Sequence, residues 1–176
     1  MMTLLNHWFR SWLGICLLRR SPQDDPRSYT GLTLALLLYA VTDILVAGGG
    51  SGWWAALGMT AIDVLVMVLL TAALLSLSGK SVRLMQTLTA LAGAGGLLGL
   101  LALPAVRQSA SYTTDDQLPT LLVVFWLVLM VWSIVVRAHI YRHALSINYA
   151  LATAVAILQA FLVFRLVGRL FPETGA

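Results

Sequence analysis

Charge is scarce in this chain. Only 10% of its 176 residues are Asp, Glu, Lys or Arg, while 60% are hydrophobic. Mean hydropathy is +0.89. A soluble domain of this size cannot hide so much apolar surface, so this balance excludes an aqueous globular fold and places most side chains against lipid. Cysteine is nearly missing as well. Cys16 alone excludes an internal disulfide and any multi-cysteine metal site, and reads as a small packed hydrophobe. Long polar stretches are also lacking, and no segment between the apolar runs is long enough to fold as a soluble catalytic module. The formal charge is +4 and the pI near 9.7. Because the basic residues flank apolar runs, they orient a membrane protein and carry no nucleic-acid role.

The chain does have apolar runs of spanning length. A hydrocarbon core needs about 20 apolar residues per helix. Five stretches qualify, at residues 30–47, 54–77, 82–103, 118–138 and 145–167. The reading is all-α: a polytopic membrane bundle of five transmembrane helices in residues 30–171, preceded by a cytoplasmic segment at 1–29 and followed by a short tail at 172–176. Lys and Arg are unevenly shared. Arg10, Arg19, Arg20, Arg27, Lys80, Arg83, Arg137 and Arg142 fall on the N-terminal side, and Arg107, Arg165 and Arg169 on the other. The loop holding Arg107 adds Asp115 and Asp116. The positive-inside rule then places the N-terminus in the cytoplasm and the C-terminus outside, with Trp53 and Trp54 in the outer aromatic belt. A bacterial inner membrane is the expected location.

Residues 1–16 do not have the order of a cleavable signal, since charge lies within and after the apolar part. At helical spacing Leu5, Trp8, Phe9, Trp12 and Cys16 share one face, opposite Asn6, His7, Arg10, Ser11 and Gly14. This is an interfacial amphipathic helix, with Trp8, Phe9 and Trp12 as membrane float or partner-docking face. Pro22 and Pro26 end it in a stiff elbow.

Intramembrane charge is costly, so Asp43 and Asp63 call for a reason. Counting from the span edges puts them about 7 Å and about 15 Å below the outer boundary, with Arg165 at about 9 Å and Gln159 near the midplane. The expected arrangement pairs Asp43 with Arg165 and has Asp63 either accept a hydrogen bond, with Gln159 as a candidate donor, or stay protonated. The acids then act as structural staples, as a proton or cation relay, or as a binding point for a partner's transmembrane helix. Thr60, Thr71, Thr87 and Thr89 can bond their own backbone, so no continuous polar stripe is expected. In the third span Ala92, Gly95, Gly96 and Gly99 form a small-residue face for close helix packing, not a phosphate loop. His139 and His143 are four apart, but Arg137 and Arg142 beside them would repel a cation, so no metal or other cofactor is expected. No catalytic grouping can be assembled, and no enzyme activity is expected.

The interfacial segment, the Pro/Asp elbow and the five close spans are similar to the Yip-type family of small membrane proteins. So are Gln86-Thr87-Leu88-Thr89 opening the glycine-rich span, Leu103-Pro104 closing it, and Leu129-Met130-Val131-Trp132-Ser133 followed by a basic turn and His143-Ala144-Leu145. The Asp-Leu-Tyr-Gly-Pro element and Gly-Tyr pairs of eukaryotic members are not present, and the chain resembles the short bacterial relatives. The resemblance implies the fold. The function expected is a non-enzymatic adaptor or assembly factor that binds lipid and a membrane-protein partner, as monomer or oligomer. The alternative is a small transporter or channel subunit using Asp43 and Asp63.

Overall fold

The structure is a computed structural model that describes residues 2–109, 111–112 and 119–172. Asp115, Asp116, Leu118 and residues 173–176 lie outside the described residues. The described chain is six α-helices and no strand: α1 Met2–Cys16, α2 Tyr29–Ser51, α3 Trp53–Leu77, α4 Leu84–Ser109, α5 Thr120–Leu145 and α6 Tyr149–Leu170. α2 to α6 are each long and apolar enough to cross a membrane. The protein is therefore an integral membrane protein with a helical bundle fold.

Local chemistry sets the helix ends. Ser28 accepts from the Gly31 amide at 3.2 Å to start α2, and Asn148 accepts from the Leu151 amide at 2.9 Å to start α6. Gly52, the single residue between α2 and α3, has φ +78, which only glycine adopts at little cost, and the chain reverses there. Connections this short force α2/α3, α3/α4 and α5/α6 to run antiparallel. α4 is the most enclosed span, packed by α1, α2, α3 and α5, and α6 closes the ring between α5 and α3. α2 and α5 face each other across α4 without packing together.

The glycine face of α4 meets α2. A Cβ on Gly95 would lie 2.5 Å from the Tyr39 ring, on Gly96 2.7 Å from Leu38, and on Gly99 2.8 Å from the Thr42 hydroxyl. Ala92 is fully buried on the same helix. Close approach of the two backbones therefore depends on these missing side chains.

α1 is placed differently from the expectation. Trp8 and Trp12 are 4% and 6% exposed, and with Ile15 and Cys16 they belong to the core. Trp8 lies over Gly31 and Trp12 over Gly93, sites where a Cβ would come within 2.5 Å of the indoles. Only Phe9, of the three docking residues, is exposed, together with Leu13 and Leu17. Ser11, assigned to the polar face, is buried because its hydroxyl donates to Asp25 in the elbow. The apolar arc of α1 is wide enough for two contacts, so one edge seats on the bundle and the other stays open.

Candidate functional site

The polar residues inside the spans converge. α2 and α3 are antiparallel, and α2 runs on to Ser51, so Asp43 sits about 12 Å from its helix end and Asp63 about 15 Å from the adjoining end of α3. At these matched levels Thr60 of α3 donates to Asp43 at 2.6 Å, and Tyr39 of α2 donates to Asp63 Oδ2. Asp63 Oδ1 is buried and has no partner among the described residues. One turn further along α5 than Arg137, the Tyr141 hydroxyl donates to Gln159 Oε1 at 2.8 Å and lies 3.1 Å from the Thr71 hydroxyl.

Neither expected acid pair forms. Asp43 takes Thr60 in place of Arg165, whose guanidinium is exposed and sits 5.9 Å from the Phe161 ring centre. Asp63 takes Tyr39 in place of Gln159, which is 1% exposed and held by Tyr141. The physical reason is rotation: a long apolar helix can turn either face inward, and Arg165 turns outward along its stem. The threonines divide. Thr87 and Thr89 bond the carbonyls of Arg83 and Met85 four residues back, as expected, while Thr60 and Thr71 bond side chains on neighbouring helices.

Arg137 is the residue sequence reasoning missed. It reads as a basic turn residue because the fourth apolar stretch fades at 138. α5 instead continues to Leu145, leaving Arg137 about 12 Å inside that end. It lies in the electrostatic field of Tyr39, Asp63, Tyr141 and Asp43. Among the described residues its guanidinium makes no hydrogen bond or ion pair. A signal was present in the spacing: Tyr39/Asp43, Thr60/Asp63/Thr71 and Ser133/Arg137/Tyr141 each recur at helical spacing on one face. The stripe is shared among three helices, so no single span displays it.

These groups open onto a cavity of about 580 Å³ between α2 and α5, floored by α4. Tyr39, Thr42, Asp43, Asp63, Ser133 and Arg137 make its polar part. The rest is apolar, from Leu98 and Ala102 on α4 to Val123, Leu127 and Met130 on α5. Val123, Leu127 and Met130 are also exposed, so the wall is open at the side of the bundle. The volume is that of a small-molecule site.

The cytoplasm-facing rim expected from the basic residues is partly internal. Lys80 donates to the Leu145 carbonyl, and Arg83 Nη1 reaches the His143 and Ala144 carbonyls at 3.3 and 3.1 Å. Both cap the C-terminal end of α5, where a helix dipole favours cations. His139 is buried with Nε2 3.0 Å from the Arg20 carbonyl, and its ring packs edge-on against His143 at 4.6 Å. Among the described residues no third metal-binding side chain joins them. No family model, no curated protein and no solved structure matches this chain.

Proposed function

We propose that this chain is a small membrane carrier, or a subunit of one, that holds its substrate within the bilayer at Asp43, Asp63 and Arg137. The observation that carries this reading is the cavity onto which both acids and the unpartnered guanidinium open. Acids serving only as staples belong in packed protein, where every polar atom has a partner. Here, among the described residues, one Asp63 oxygen and all the Arg137 donors have none. Two carboxylates against one guanidinium leave one net negative charge, and a single bound proton neutralises the set. That arrangement suits exchange of a proton with an ionic substrate. The carrier sits in a bacterial inner membrane, N-terminus in the cytoplasm and C-terminus outside.

Access to the cavity tests this directly. Ser133 lines it and bonds only the Met130 carbonyl of its own helix, at 2.7 Å. In a Cys16→Ala background, Ser133→Cys in proteoliposomes is expected to react with a small thiol reagent, and Asp63→Asn is expected to abolish proton-linked uptake while the protein stays folded. A Ser133→Cys thiol that resists every reagent until the protein is unfolded means sealed protein, and overturns the carrier.

The adaptor reading retains one specific surface, the exposed Phe9, Leu13 and Leu17 edge of α1. A stoichiometric membrane partner recovered in mild detergent and lost on Phe9→Ser would restore it. The Yip-type relationship enters only as a proposal about architecture.

A further inference from the structure

The polar and apolar parts of the cavity are separated along its length. On α5 the lining runs from Val123 to Ile140, about 25 Å of helix, and only Ser133 and Arg137 on that stretch are polar. Val46 and Ala102 continue the apolar wall on α2 and α4. A ligand that fills this space has one polar end beside Arg137 and a long apolar remainder that can leave sideways past Leu127 and Met130.

The sign of the polar end follows from which groups are still unsatisfied. Asp43 and Asp63 already accept hydroxyl donors from Thr60 and Tyr39. Arg137 has five N–H donors and no acceptor among the described residues. A half-buried guanidinium whose planar fork has no acceptor among the described residues selects a carboxylate-like anion. The anion would meet repulsion from two ionised acids, and Asp63 Oδ1, buried at 8% residue exposure without a partner, offers the remedy. A proton placed on that oxygen removes one of the two negative charges and gives the carboxyl group a donor of its own.

We propose that the cavity binds a single-chain amphiphile with a carboxylate head, a long-chain fatty acid, whose head pairs with Arg137 while Asp63 holds the accompanying proton. The acid enters in net neutral form: its O–H bond breaks, the carboxylate goes to the guanidinium, and the proton goes to Asp63 Oδ1. The charged and titratable groups around Asp63 are Tyr39 and Asp43 from α2 and Arg137 and Tyr141 from α5. α4 presents Gly95 and α6 presents Gln159 to Tyr141, and neither titrates. This identity of the ligand rests on the carrier reading above.

The experiment is photolabelling of the full chain in proteoliposomes with a palmitic acid bearing a mid-chain diazirine. Labelled peptides should map to α4 near Leu98 and α5 near Leu127. Oleate should compete, while methyl oleate, oleyl alcohol and oleylamine should not. Arg137→Gln should weaken labelling roughly 10- to 100-fold, the loss of one charge-assisted pair, with Arg137→Lys restoring part. Should Arg137→Gln fail to fold, Ser133→Phe decides, because it keeps every charged group and fills the channel; labelling should again be lost. Competition by oleylamine at least as strong as by oleate overturns the fatty-acid proposal and leaves the carrier standing with a cationic substrate. Labelling that persists in folded Arg137→Gln and Ser133→Phe reports the lipid-facing surface and overturns the proposal. Absence of label at both helices in the folded wild type overturns the site and the carrier together.

Discussion

Tyr39 is held from two sides: its hydroxyl donates to Asp63, and its ring lies against the backbone of Gly95. A Tyr39→Phe and Asp63→Asn double-mutant cycle, read by thermal unfolding in detergent, should return a coupling of about 0.6 kcal/mol, the mean for hydrogen bonds between membrane helices, and at most about 1.7 kcal/mol. A coupling near zero means the two groups do not interact in the folded protein. Gly95→Ala puts a methyl 2.5 Å from the Tyr39 ring, which cannot yield without leaving Asp63, and should cost about 1–3 kcal/mol. Gly168 offers the contrast. A Cβ there meets nothing within 4 Å, so Gly168→Ala should be neutral or stabilise α6 by up to about 1 kcal/mol in the same assay. Asp43 and Asp63 are legible in the sequence as unusual. Their partners are not, because helix length in the sequence sets only depth, about 1.5 Å per residue, while the face each acid presents is set by how α2 and α3 rotate in the bundle.

At the scale of the element, α1 is a seated helix with a chemical reporter in its contact face. Cys16 Sγ lies 3.7 Å from the Ala94 carbonyl, and burial pushes its thiol from 9.0 up to about 11. Since the folded value is the higher one, the neutral thiol's contribution to stability is whole below pH 9.0 and is lost as pH rises through about 11. At pH 7.5 the thiol should therefore resist maleimide in the native protein. Gly93→Leu drives a side chain into Trp12, which a Cβ alone would approach to 2.4 Å, and should release α1. Mass spectrometry of the maleimide adduct would then rise many-fold without global unfolding. Rapid labelling of the native wild type would show that α1 does not sit against α4. The amphipathic pattern of α1 was plain from Trp8, Trp12 and Cys16. What it faces was not, since an indole fits a headgroup layer and a glycine groove equally well.

For the whole molecule, the proposed orientation rests on charges that the fold uses twice. Lys80 and Arg83 set the charge bias between the two sides and also tie the α3–α4 turn to the end of α5. Replacing both with Gln should weaken the α3–α4 to α5–α6 junction and reduce the topological bias together. With the wild-type chain, a reporter active only in the cytoplasm should be silent when fused to the C-terminus; strong activity there would reverse the assigned orientation. Arg137 must be left out of such a count, because it lies about 12 Å inside α5 beside the cavity and does not stand at the rim.

Sequence by itself determined that this chain lives in a membrane, that it does so with five helices, and that short connections make neighbours antiparallel. Those follow from apolar length and from the short connections between the runs, both local properties. It also marked the small-residue face of α4. Tertiary structure alone decided the rotation of each helix, and with it that Arg137 faces Asp63, that Arg165 faces away, and that Trp12 packs on Gly93. The reason is physical: α2, α3 and α5 are apolar nearly all round. Lipid is as apolar as leucine, so burial gives no preference among faces. Rotation is set by where glycines allow approach and where polar groups find partners on other helices. Those are properties of the assembled bundle and appear in no single span.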